Sequence, residues 1–160
     1  MQRFSAKNLY LDVCCLNRPF DDQTQNRIHL ESEAVLTILS ICEKGPWQVI
    51  VSEVTKFEIL AIPDYDRKEK VLSLTKLANG IIQLDQTISS RANTIMNMGF
   101  SNYDALHLAC AESVSNTIFL TTDDKLLGRA KKNRNILRVR VENPVIWLME
   151  VMQNGEDDDS

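Results

Sequence analysis

Long apolar runs are missing from this chain of 160 residues. None approaches the roughly 20 residues a membrane-spanning helix requires, so no membrane partner is expected. The opening Met1-Gln2-Arg3-Phe4-Ser5 lacks the apolar stretch of a secretory signal, which points to the cytosol. Paired cysteine motifs are also missing. Cys14, Cys15, Cys42 and Cys110 form no CxxC and stand beside apolar neighbours, so they read as reduced core thiols rather than zinc ligands or a disulfide framework. There is no GxxxxGK[ST], no GxGxxG and no GxSxG, which leaves P-loop hydrolysis, dinucleotide binding and serine-hydrolase chemistry without a motif. Global basicity is absent as well. Of 22 acids, four fall in Glu156-Asp157-Asp158-Asp159, leaving 18 acids against 18 bases in the body, so net charge does not advertise nucleic-acid binding.

What is present is an ordinary globular balance, 44% hydrophobic and 25% charged residues, in a length suited to one domain with its own core. Residues 1–152 are expected to form that domain and 153–160 a disordered acidic tail. One local basic stretch stands out: Lys125, Arg129, Lys131, Lys132, Arg134, Arg138 and Arg140, with no acid between them.

Hydrophobic periodicity predicts strands and helices in alternation. A first strand is expected over Leu9–Cys15, a long amphipathic helix over 24–44 stopped by Gly45-Pro46, and a second strand from Trp47 to Val51. Ser52 caps a helix to Ala61 that Pro63 ends. A helix over 66–79, a strand over 81–84 and a helix over 87–98 follow, and Ser101 opens another helix. A strand over 117–121, a basic helix over 125–132, a strand over 136–141 and a closing helix behind Pro144 complete the chain. Such alternation predicts an α/β class fold, a three-layer α/β/α sandwich around a mainly parallel sheet.

Ligands in parallel sheets gather beyond the carboxyl ends of strands, so acids there carry most information. Asp12 closes the first strand, Glu53 and Glu58 follow the second, Asp85 the third, and Asp123 and Asp124 the fourth, while Asp104 lies early in the Ser101 helix. Glu53 and Asp85 have sufficient explanations as an acid in a first turn and a cap, and Asp104 could complete a capping box. Asp12 and Glu58 resist such explanations. Asp12 interrupts a strand that needs apolar cover on both faces. Glu58 shares the face 54, 57, 58, 61 with Val54, Phe57 and Ala61, the face expected to turn to the core. No Lys or Arg stands beside Asp12, Glu58 or Asp104 in sequence, so a converging set of these acids calls for a hard divalent cation, Mg²⁺ or Mn²⁺, and thus for metal-dependent phosphoryl transfer. His107, one turn from Asp104, reads as a satisfied core residue, and His29 as solvent-facing; neither has a metal-ligand spacing partner.

Four segments, Tyr10-Leu11-Asp12, Ser52 with Glu58, Asp104-Ala105-Leu106-His107-Leu108-Ala109-Cys110-Ala111, and Leu120-Thr121-Thr122-Asp123-Asp124-Lys125, together resemble the PIN-domain family, which includes the VapC-like toxin nucleases of toxin–antitoxin pairs. The resemblance spans roughly residues 8–145. It implies a single-stranded RNA endonuclease with Mg²⁺ or Mn²⁺ held by Asp12, Glu58, Asp104 and Asp123, Asp124 being the alternative to Asp123. Ser52 and Thr121 would support those ligands without binding metal. Arg18, Lys125 and Arg129 would meet RNA, and a small antitoxin protein and a homodimer would be the partners. Two other readings stand beside it: a receiver-like phosphoacceptor domain using Asp85, and a PIN-like binding module without turnover.

Overall fold

The computed structural model describes residues 7–159, and side chains over 7–154. In chain order they form β1 (Lys7–Leu11), α1 (Val13–Asn17), a 3-10 turn (Arg18–Phe20), α2 (Asn26–Lys44), β2 (Trp47–Ser52), α3 (Glu53–Leu60), α4 (Tyr65–Thr75), β3 (Gly80–Ile82), α5 (Gln86–Met96), α6 (Asn102–Glu112), β4 (Thr117–Leu120), α7 (Asp124–Lys132), β5 (Arg140–Glu142) and α8 (Pro144–Asp159). The five strands make one parallel sheet in the order β3-β2-β1-β4-β5, as the alternating pattern predicts. β1 is central, pairing Leu9 with Val49 of β2 and with Ile118 of β4. The winding reverses between β1 and β4, and a crevice opens beyond the carboxyl ends at such a point.

Strand pleating sends alternate side chains of β1 to opposite layers. Leu9 and Leu11 enter one core with residues of α1, α2 and α8, including Val35, Ile38 and Trp147. Tyr10 enters the other, with Ile88, Ile95, Leu108 and Phe119. The short helix α3 reaches both cores, through Val54 in one and Ile59 in the other, which seats it across the end of the sheet. No helix among the described residues is long and apolar enough to cross a membrane.

The structure corrects three sequence expectations. The first strand ends at Leu11 rather than Cys15, because the Asp12 side chain accepts the Val13 N–H and caps α1. The last strand begins at Arg140 rather than Ile136. The Ile136 carbonyl accepts from Arg91 and the Arg138 N–H donates to Glu112, so neither group is free for the ladder. In α3 the inward face is Val54, Thr55 and Ile59, with Phe57 and Ala61 exposed. A capping box joins Ser52 and Thr55, and because Ser52 ends a buried strand, Thr55 is drawn inward and fixes the rotation of the helix. Glu58 then stands at the edge of the core, half-buried. The side chains of 155–160, most of the expected tail, lie outside the described residues.

Candidate active site

Asp12 and Thr121 follow the two central strands and meet at the crevice. Asp12 is 7% exposed; its Oδ1 accepts from the Val13 N–H (2.9 Å) and its Oδ2 from the Thr121 hydroxyl (2.8 Å). Thr121 Oγ1 in turn accepts the Asp123 N–H (3.1 Å), so one hydroxyl links the ends of β1 and β4. Asp123 caps α7, accepting from Lys125 and Leu126 N–H groups. Asp124 turns away: Arg27 clasps both its oxygens at 2.7 Å. Adjacent acids in one motif therefore have separate surroundings, Asp123 at the crevice side and Asp124 in an ion pair on α2.

Glu58 comes over the same crevice from α3, and its Oε1 lies 2.5 Å from His107 Nε2. One ligand atom each from Asp12, Glu58 and His107 fall within 4.8 Å of one another. Asp104 is half-buried on the first turn of α6, where its N–H donates to the Ser101 hydroxyl. The capping explanation accounts for that backbone bond and leaves the carboxylate available. Burial pushes the Asp104 carboxyl above the ordinary range, the charges of Asp123 and Glu58 push it further, and Ser101 and His107 act against the rise. Burial likewise drives Asp12 well above the usual carboxylate value, with Cys14 and Glu58 adding to the rise and His107 and Thr121 opposing it.

Both shifts have one meaning: the site resists holding its own negative charge. Among the described residues no Lys or Arg forms an ion pair with Asp12, Glu58, Asp104 or Asp123. Elsewhere the same chain neutralises a buried acid thoroughly. Glu31 is 2% exposed and takes Arg18, Arg27 and Asn143 onto its oxygens. The carboxylate oxygens of Asp12 and Glu58, which meet at the crevice beside the His107 ring, are donors that fit a hard divalent cation such as Mg²⁺ or Mn²⁺.

Other sequence candidates have separate tasks. Glu53 accepts the Leu84 N–H (2.7 Å) and Asp85 caps α5 through the Ile88 N–H, so both acids tie the β3 edge together. Arg18 spans Asp21 and Glu31, whereas Lys125 and Arg129 are exposed on α7 with no ion pair among the described residues. Ser52 is fully buried, with its hydroxyl 2.6 Å from Tyr10 Oη.

Two residues read as plain core proved to border the site. His107 is fully buried, as expected, but its ring joins Glu58 to Tyr10. Its i,i+3 spacing from Asp104 was the available sign. Cys14 is only part-buried, with Sγ 3.4 Å from Asp12 Oδ2 and 3.3 Å from Thr121 Oγ1. Hydrogen bonding from Cys15, helped by Thr121 and Thr122 and opposed by burial, brings its thiol down to about 6. The other three cysteines are buried free thiols.

No protein-family model matches the chain, and no curated protein sequence does. Solved structures do. VapBC-1 from nontypeable Haemophilus influenzae is 16% identical, with 86% of this chain and 98% of that chain covered at a TM-score of 0.56. A toxin–antitoxin complex from Klebsiella pneumoniae is 20% identical, covering 85% and 97% at 0.55. VapBC2 from Rickettsia felis, bound to a DNA fragment from their promoter, is 11% identical, covering 85% and 98% at 0.54. At these identities the likeness is one of backbone: the chain has the VapC-like PIN-domain fold.

Proposed function

We propose that this protein is a metal-dependent endoribonuclease acting on single-stranded RNA, and the toxin of a toxin–antitoxin pair. The observation that carries the enzymatic reading is the approach of Asp12 and Glu58, from separate segments, beside the buried His107 and without a Lys or Arg partner, with Asp104 on α6 near enough to feel the charge of Glu58. Asp12, Glu58 and Asp104 would hold Mg²⁺ or Mn²⁺, with Asp123 beside them. Such an ion, when bound, supplies Lewis-acid polarisation of the phosphodiester and makes water a competent nucleophile near neutral pH.

The protein's own groups do the rest. Thr121 and the Val13 N–H fix the Asp12 carboxylate in one orientation. α3, seated across the sheet end, holds Glu58 opposite it. Lys125 and Arg129, on the helix that Asp123 caps, are placed to meet backbone phosphates, a local attraction for a polyanion in a chain whose body is neutral. Purified protein incubated with single-stranded RNA and Mn²⁺ is expected to cleave it, and EDTA or Asp12→Asn to abolish cleavage. Cleavage that survives both treatments refutes the proposal.

The antitoxin reading is supported by the toxin–antitoxin complexes among the similar folds. The surface offers such a partner a groove of about 1070 Å³ between α2, α7, β5 and the start of α8. Leu30 and Ile146 line it and are 59% and 50% exposed, and Lys131, Arg134 and Arg138 rim it. Exposed apolar side chains in a concave, basic setting suit an amphipathic acidic segment. An antitoxin encoded beside this gene should co-purify with the wild type and be lost from Leu30→Glu/Ile146→Glu; co-purification unchanged by that pair of substitutions contradicts this seat.

A further inference from the structure

A continuous line of hydrogen bonds runs from the end of β2 through the core to Glu58. The Ser52 hydroxyl accepts the Thr55 N–H, and the Ser52 N–H donates to Thr55 Oγ1. Ser52 Oγ is 2.6 Å from Tyr10 Oη, which is 2.5 Å from His107 Nδ1, and His107 Nε2 is 2.5 Å from Glu58 Oε1. One assignment gives every hydrogen an acceptor. The Ser52 hydroxyl donates to Tyr10, Tyr10 to Nδ1, and the remaining ring hydrogen on Nε2 to Glu58. Ser52, Tyr10 and His107 are all fully buried, and Tyr10 is wedged between the His107 ring and the stacked Phe119 ring. The line therefore has little freedom to rearrange.

Both ring nitrogens of His107 are engaged in this line, which makes it a poor ligand despite its position in the acid cluster. Glu58 Oε2, by contrast, takes no protein hydrogen bond among the described residues. We propose that His107, oriented by Tyr10 and Ser52, is a positioning residue that holds Glu58 by Oε1 so that Oε2 is presented to a divalent cation shared with Asp12 and Asp104. The proposal rests on the metal-site reading above. It assigns a role in that site to the buried Tyr10–His107 pair, which lies behind the carboxylates and touches no ion itself. Groups that orient metal ligands commonly control affinity by 10–100-fold.

The test is Mn²⁺ binding to the full chain, followed by calorimetry and by the electron paramagnetic resonance of free Mn²⁺, beside circular dichroism to confirm folding. Tyr10→Phe keeps the ring stacked on Phe119 and removes only the hydroxyl; about 10-fold weaker binding is expected. His107→Ala should weaken it by about 10–100-fold, and His107→Gln, whose terminal amide can again donate towards Glu58, should recover part of the loss. In the metal-free wild type, long-range ¹H–¹⁵N spectra should show the His107 ring hydrogen on Nε2. Folded Tyr10→Phe and His107→Ala proteins that bind Mn²⁺ within twofold of wild type overturn the positioning role, as does a hydrogen on Nδ1 alone. A wild type that binds no Mn²⁺ overturns the metal-site reading itself, which separates the two failures.

Discussion

Replacing Asp12 by Asn should make the metal-free protein more stable while removing its response to metal. Asp12 is a buried carboxylate with no cationic partner among the described residues, close to a second acid, Glu58. The effective desolvation penalty of such an ion is several kcal/mol. It is offset by the Val13 and Thr121 hydrogen bonds, which lose about half their strength with a neutral acceptor, or roughly 1–2 kcal/mol in all. The direction of the pKa shift decides the balance: burial wins, so the charged form is disfavoured in the fold. A net gain of about 1–2 kcal/mol for Asp12→Asn at neutral pH corresponds to a Tm higher by roughly 2–8 °C.

The pH dependence has a definite sign. A carboxyl raised by folding binds its proton more readily in the native state, so wild-type stability is highest below the unfolded value, about 3.9, and declines as pH rises towards the folded value. The advantage of Asn is thus absent in acid and grows towards neutrality. Mn²⁺ at 100 times its dissociation constant should stabilise the wild type by about 2.7 kcal/mol, or roughly 5–11 °C, and leave the variant nearly unmoved. Differential scanning calorimetry with and without Mn²⁺ reads both effects. An Asn variant that melts below the metal-free wild type at pH 7, or that gains as much from Mn²⁺, would refute the reasoning.

The neutralised acid should behave in the opposite way. Glu31→Ala removes the buried acceptor shared by Arg18, Arg27 and Asn143, while Arg18 keeps Asp21 and Arg27 keeps Asp124, and chemical denaturation should show a loss of about 1–3 kcal/mol; no measurable loss contradicts the cluster's role. Cys14 should react with iodoacetamide with a midpoint near pH 6, below the ordinary value of about 8.5, and Mn²⁺ should slow the reaction; an ordinary midpoint would contradict the hydrogen bonding assigned to its thiol. Lys125→Ala/Arg129→Ala should weaken RNA binding and, if each base meets one phosphate of a single strand, reduce the slope of log affinity against log salt by roughly 1.4. An unchanged slope would remove both residues from the RNA path.

Asp12 could be read from the sequence because a charge inside a short, otherwise apolar run has few structural excuses, and Thr121 to Asp123 because hydroxyls and acids at the end of a strand have a common geometry. The strand order was less accessible, since it depends on which edges pair across the fold. Glu58 was selected for a reason that the fold does not keep: its supposed companions Phe57 and Ala61 face outwards, and Thr55 and Ile59 face in. It reaches the crevice because the Ser52–Thr55 capping box turns the helix, an effect of two polar side chains that apolar periodicity does not register. Asp123 and Asp124 are the same residue type side by side, and what separates them is that Asp123 caps α7 while Arg27, distant in sequence, draws Asp124 away. His107 was concealed by being a true core residue, because burial and a place beside the acids are compatible once Tyr10 and Glu58 satisfy both ring nitrogens.

Anomalous scattering from a crystal soaked in Mn²⁺ would locate the ion. A peak is expected in the crevice beyond β1 and β4, bonded to oxygens of Asp12, Glu58 and Asp104, with His107 still donating to the far oxygen of Glu58. A crevice with no peak, or with those carboxylates turned to separate cationic side chains, would contradict the metal-site reading.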